Sequence, residues 1–231
     1  MHDTVTENAD YGPGQQLPRG RHGLSRETVT ESQRGRIIQA MIAAVAERGY
    51  QETRVADIVE GAGVARKTFY DYFDDKGACF LAAYDQVSAE LYETAAGAFN
   101  AAEDASWAER IRAAVAALLE RLASSPEEAR FAIVEVLAAG PKALVRRDAA
   151  LREFNQLVEA GRRESSIDPP GMISVAIVGG VFELLYSEIL HGATARLPAR
   201  LPDIVYWITQ PFLGPDGAVA ERDRAREASS A

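Results

Sequence analysis

The segment Ile58 to Lys76, IVEGAGVARKTFYDYFDDK, constrains the fold more than any other part of the chain. An apolar helix end runs into Gly61-Ala62-Gly63-Val64, whose glycines allow a tight turn, and a second short helix opens on the adjacent cations Arg66 and Lys67. The first turn of a helix carries unpaired N–H groups and a partial positive charge, so each cation there is disfavoured by roughly 0.3–1 kcal/mol. With Thr68, Tyr70 and Tyr72 close behind, this start suits an anion supplied from outside, and nucleic-acid phosphate is the obvious candidate. A solvated helix end is the plainer reading of the same two cations.

The flanks make the segment part of a unit. Ile37, Ile38, Met41, Ile42 and Val45 form one apolar stripe at helical spacing. That first helix is expected to start after Thr30 or Ser32, with Thr30 and Gln33 as a capping box, and to end at Gly49. Thr53 is expected to cap a short helix over 54–61 that buries Val55, Ile58 and Val59. A third helix spans about 66–73, and Asp74 is expected to cap a fourth running to about Phe99. Three short helices with a four-residue turn between the last two make a helix-turn-helix unit.

The residues go further than the pattern. Glu47-Arg48-Gly49-Tyr50, Thr53, Asp57-Ile58, Ala62-Gly63-Val64, Thr68-Phe69-Tyr70, Tyr72-Phe73 and Lys76 stand in the order and spacing of the DNA-binding domain of the tetracycline-repressor (TetR) family. The stretch from Ile37 to Lys76 resembles that domain, and the chain end Pro211-Phe212-Leu213-Gly214 is also similar to members of the family. The resemblance implies DNA contacts at Arg66, Lys67 and Thr68 in the major groove and at Tyr70 and Tyr72 through their hydroxyls. It also implies a phosphate contact at Lys76, and Thr53 and Arg54 on the opposite backbone. Phe69 and Ile58 pack the unit together. Two departures stand out. Ala65 replaces the serine that often caps the recognition helix, a loss typically worth ~1 kcal/mol. Lys67 replaces a frequent glycine, which adds a long cation near the groove, so Arg66 or Lys67 could read guanine.

Charge is distributed to match. The net charge is −9, yet residues 19–76 hold ten Lys/Arg against nine Asp/Glu, while residues 77–231 hold fifteen against twenty-two. An acidic body repels DNA, and a locally less acidic end can still dock on it. Residues 1–30, rich in Gly, Pro, Gln, Thr and charge, read as a disordered basic arm that either lies along a groove or is a solvated tail.

The remainder reads as helix after helix, over about 106–123, 126–138, 142–164, 171–191 and 200–213. No segment alternates in the manner of a strand. The expected architecture is all-α: a helix-turn-helix domain over 31–77, a helical effector-binding and dimerisation domain over 78–214, and a flexible tail over 215–231. The run Met172 to Phe182 is too short for a membrane span, which needs about 20 residues. The helix containing it is apolar nearly all round and must be covered on every side. In TetR-type proteins the C-terminal helices dimerise the chain and enclose an effector pocket. A homodimer through helices 171–191 and 200–213 would pair those faces and set two recognition helices about 34–36 Å apart on a palindromic operator. Candidate pocket residues are Trp107, Phe131, Glu135, Phe154, Phe182, Glu183 and Tyr186, which suit an apolar or aromatic small molecule.

Rival readings are an enzyme and a helical interaction protein without DNA binding. The histidines His2, His22 and His191 are scattered, Cys79 stands alone, and no nucleophile, zinc or phosphate-loop pattern appears. No catalytic residue, cofactor or metal is therefore expected. A single cysteine and no secretory signal fit a reducing cytoplasm. The expected role is a ligand-responsive DNA-binding regulator of transcription, a repressor.

Overall fold

Gly63 adopts φ 60° and ψ 39°, left-handed values that residues with a side chain adopt only under strain. That conformation ends α2 (Val55–Ala62) and turns the chain into α3 (Arg66–Tyr72) after two linking residues. α2 rests on α1 (Arg26–Arg48) and α3 on α2, and Ile37, Ile38, Met41, Ile42 and Val45 of α1 are all buried as the spacing requires. Arg36 of α1 donates from Nη1 to the Ala62 carbonyl at 3.1 Å, placing a cation at the negative end of α2. These features come from a computed structural model that describes residues 26–101 and 104–228. α1 begins at Arg26, so Thr30 and Ser32 lie inside it and do not cap it. Residues 1–25 of the expected arm lie outside the described residues.

α4 (Lys76–Asn100) leads into the second region and packs on α1, α5 and α7. Its cap is Asp75, not Asp74: the Asp75 carboxylate accepts from the Ala78 N–H at 2.7 Å. α5 (Trp107–Ser124) opens on a Ser106–Glu109 capping box. The expected helix 126–138 is not uniform. α6 (Pro126–Ala129) passes into a π-helical turn, Arg130–Val134, and then a 3-10 turn, Glu135–Leu137. α7 (Pro141–Glu159) ends in a 3-10 turn and leads by a loop to α8 (Ile173–Leu190). Among the described residues there is no strand, and the all-α expectation holds.

α9 (Leu201–Ala228) corrects the chain end. The sequence suggests a flexible tail after Gly214, but the chain only breaks its helical path there, at φ 73° between Pro211 and Pro215, and then resumes the helix to Ala228. Ala218, Glu221 and Ala225 are buried, and Glu221 pairs with Arg112 of α5 and with Arg224. Small residues and one paired carboxylate form that contact stripe, so the segment looks polar while being packed.

Candidate nucleic-acid interface and apolar cavity

One side chain anchors α3. Phe69 is fully buried and packs on Phe73, with ring centroids 5.7 Å apart. Around that anchor Arg66, Lys67 and Tyr70 are exposed and Thr68 is half-buried. Arg66 Nη2 donates to the Tyr70 hydroxyl at 3.3 Å, and its guanidinium lies 5.7 Å from that ring's centroid. The pair thus presents a partly ordered cation and phenol. Ala65 supplies no side-chain cap to α3. Arg54 is exposed at the start of α2, where its N–H donates to Asp57 Oδ2 at 2.8 Å.

Three other residues expected at the interface have tasks inside the unit. Thr53 is buried and its hydroxyl donates to the carbonyl of Gly49 at 2.8 Å, with that of Ala44 at 3.2 Å; Arg54, not Thr53, holds the capping position of α2. Lys76 Nζ donates to the carbonyls of Tyr50 at 2.7 Å and Thr53 at 2.8 Å, and sits 4.2 Å from the Tyr50 ring centroid. Burial holds its ammonium below the ordinary lysine value, with Glu52 opposing. An ammonium has three protons, so Lys76 ties α4 to the turn between α1 and α2 with little left for a phosphate. The Tyr72 hydroxyl donates to Gln33 Oε1 at 3.1 Å and keeps only its acceptor side free. Conversely, exposed Arg34 of α1 lies 5.8 Å from the Phe73 centroid, beside the end of α3. Its separation of 39 residues from Phe73 carries no local sequence signal.

A cavity of about 110 Å³ lies among α4, α5, the π-helical turn, α7, α8 and α9. Its wall is almost wholly apolar and includes Leu91, Ala114, Ile133, Phe154, Ile177 and Phe182. Two expected pocket residues, Phe154 and Phe182, therefore line it. The other five do not. Trp107 is core: its indole N–H donates to the Leu157 carbonyl at 3.0 Å, and its ring packs on Phe212 at 4.8 Å. Phe131 packs on Phe80 at 4.6 Å. Glu135 is buried and turned toward the helix-turn-helix unit, accepting from the Tyr50 N–H at 2.9 Å and pairing with Arg130 at 3.0 Å. Glu183 is exposed, and Tyr186 packs half-buried against the core beside the cavity wall. The lone thiol, Cys79, is buried and pushed up to about 12 by that burial, so it stays protonated at neutral pH.

α8 buries Val178, Phe182, Leu185 and Ile189 on one side only. Its length and composition alone match a membrane-crossing helix, and only 28% of it is buried within one chain. On the other side a groove between α8 and α9 is lined by Ile173, Ala176, Ile177, Gly180, Tyr206 and Trp207. Met172, Val175 and Trp207 are exposed there or close by in sequence. Ile177 belongs to both the groove and the cavity wall.

Known proteins resemble this chain in part of its sequence and in its fold. Residues 37–83 match the family model of bacterial regulatory proteins of the tetR family. An uncharacterized HTH-type transcriptional regulator of Bacillus subtilis (strain 168), YvdT, is 33% identical over 69 residues, 30% of this chain. The match spans about a third of that relative, 36% of its length. In structure the chain is similar to the fatty acid degradation regulator FadR of Bacillus halodurans, with a TM-score of 0.65 and 19% identity over 75% of this chain and 96% of that one. FadR of Bacillus subtilis, solved in complex with stearoyl-CoA, gives 0.65 and 19% over 78% and 97%. A TetR family transcription regulator from Marinobacter aquaeolei VT8 gives 0.62 and 19% over 84% and 97%. At these identities the structural likeness is one of fold.

Proposed function

We propose that this chain, whose residues 37–83 carry the N-terminal domain of the tetR family of bacterial regulatory proteins, is a dimeric DNA-binding repressor released from its operator by an apolar effector. The observation that carries the reading is α3: one fully buried residue, Phe69, fixes a short helix that exposes the cations Arg66 and Lys67 and the phenol of Tyr70, with a single acidic group, Asp71, exposed at its far end. Arg66 and Lys67 face base edges or phosphates in the major groove, with Thr68 and Tyr70 beside them. Arg54 and Arg34 are further phosphate contacts, and Tyr72 accepts from a neighbouring donor. Selection of bound duplexes from random sequence tests this directly. A palindromic site with affinity falling steeply in salt is expected, since each phosphate contact releases counterions. Failure to enrich any duplex at low salt sinks the reading.

The one-sided burial of α8 supports the dimer. Its exposed apolar side, continuous with the groove against α9, suits a second copy of the same face, giving a four-helix interface. A place in the cytoplasm beside the chromosome follows from that role. The cavity supports the effector class. With almost no polar wall it offers contact to hydrocarbon and no anchor for a sugar or a nucleotide. A fatty acyl chain meets that requirement, in keeping with the stearoyl-CoA bound by the similar FadR of Bacillus subtilis. Effector binding must favour a conformation with lower operator affinity, because a ligand shifts an equilibrium only by its differential affinity for the two states.

A further inference from the structure

The cavity, at about 110 Å³, is smaller than an apolar cavity of ~150 Å³ that holds a benzene molecule. A longer hydrocarbon held wholly inside it therefore has to move a wall. Most of the wall is regular α-helix. Ile133 is the exception, because it lies in the π-helical turn Arg130–Val134. Such turns interrupt the regular hydrogen-bond ladder and collect at functional positions.

Two residues beyond Ile133, the same stretch reaches the DNA-binding unit. Glu135 accepts from the Tyr50 N–H at 2.9 Å, and its carboxylate lies against Gly49, the left-handed residue that ends α1. Three residues further, the Ala138 carbonyl accepts from Gln51 Nε2 at 2.8 Å. Phe131, at the start of the stretch, packs on Phe80, which in turn packs on Tyr50 at 5.0 Å. Lys76 holds the same Tyr50–Thr53 turn from the α4 side.

We infer that Glu135 is the positioning residue through which effector occupancy reaches the DNA-binding unit: a ligand that displaces Ile133 shifts Glu135 and, with it, the turn between α1 and α2 on which α2 and α3 are mounted. The inference rests on the cavity being the effector site. The Glu135 carboxylate is suited to the task. It is buried, charged and doubly engaged, by Arg130 and by a backbone N–H, so a displaced Glu135 cannot leave Tyr50 behind without exposing an unpaired donor.

The full chain, an operator selected from random duplexes and decanoate as probe give the test. Operator affinity is measured with and without saturating decanoate, and decanoate binding is measured separately without DNA. In the unaltered protein, decanoate lowers operator affinity about tenfold or more, within the usual range of coupling between sites. Glu135→Ala binds decanoate as before, but the loss of operator affinity shrinks to less than about twofold. Glu135→Gln keeps an acceptor for the Tyr50 N–H and retains part of the response. An undiminished response in Glu135→Ala overturns the inference, as does loss of decanoate binding itself, which would return Glu135 to the pocket. If the unaltered chain binds operator but ignores decanoate, the fatty-acid reading fails and the coupling is tested without ligand. Ala114→Phe then fills the cavity from α5, and the weakened operator binding it causes must be restored in the double variant with Glu135→Ala. Absence of that restoration overturns the coupling independently of any effector.

Discussion

α3 and α8 fold by opposite rules. α3 has seven residues, one of them fully buried, and presents charged and phenolic groups to solvent. α8 has eighteen, apolar nearly all round, and presents a greasy face that one chain does not cover. The first acts through particular atoms at particular places. The second acts through volume and area: a cavity on one side and a groove on the other, with Ile177 in both. Substitutions in α3 should therefore be sharp and residue-specific in their effect on DNA. Substitutions around α8 should be graded by size and should act on DNA only at a distance.

The largest effect is expected where α3 loses its anchor. Phe69→Ala should cost about 3–5 kcal/mol, as for other buried phenylalanines, and should abolish operator binding through loss of the helix-turn-helix unit. Phe182→Ala should have a comparable effect on stability only if its site stays empty. Because it widens the cavity, it should bind longer fatty acids than the unaltered chain while still binding operator. Thermal melting, operator binding and decanoate against longer-chain binding separate the two. Equal damage to operator binding by both variants would break the contrast between the helices.

Next come the exposed cations. Arg66→Ala should cost about 1–3 kcal/mol in operator affinity and relax selection at one position of each half-site if it reads a guanine. Lys67→Ala should weaken all duplexes alike and reduce the salt slope by about one if it meets a phosphate. Neither should change stability by more than about 0.5 kcal/mol, as for exposed residues elsewhere. Melting and salt-dependent binding of both variants measure this, and reversed outcomes would exchange the two roles.

How much of this was legible follows the same divide. The anchor and the exposed cations of α3 were readable because a short motif carries their spacing: Gly63 forces the turn, and Phe69 and Arg66 follow at fixed steps. The tasks of Thr53 and Lys76 were not readable, because position in a motif does not say where a side chain points. Lys76 meets carbonyls 23 and 26 residues away, and Thr53 turns back on the end of α1. The pocket was readable only in small part. Phe154 and Phe182 reach the cavity, while Trp107 and Phe131 are equally aromatic and equally apolar in surroundings yet fill the core. Periodicity marks a buried face without marking which part of it is left empty. The helix after Gly214 was misread for a related reason: its contact stripe of Ala218, Glu221 and Ala225 contains no large apolar residue.

A smaller effect tests the reassigned threonine. Thr53→Val keeps the shape but removes the hydroxyl that meets the Gly49 and Ala44 carbonyls. A loss of about 1 kcal/mol in stability is expected for that hydrogen bond, with operator affinity unchanged at temperatures where the variant is folded. A tenfold fall in operator affinity without loss of stability would return Thr53 to the DNA interface.

The smallest effect concerns the loop that delivers the chain from α7 to α8. Glu159 accepts from Arg162 Nε at 2.5 Å and from the Ser174 hydroxyl, and Arg162 also donates to the Pro169 carbonyl at 2.6 Å. The hydrogen bond from Arg162, and after it that from Ser174, holds the Glu159 carboxyl below its ordinary value. A depressed carboxylate stabilises the folded state above its unfolded pKa, and that contribution disappears as pH falls through the lower, folded value. Protection of the amides around Ser174, taken relative to their intrinsic exchange rate at each pH, should therefore stay high at neutral pH and fall only well below the ordinary carboxylate range. The carboxylate is half-exposed, so screening keeps the change local and small. Exchange around Gly63 and Phe69, whose order depends on apolar packing and a glycine turn, should not follow the same acid transition. Joint loosening of both regions at one pH would show that the start of α8 and the helix-turn-helix unit are coupled more tightly than their separate packing implies.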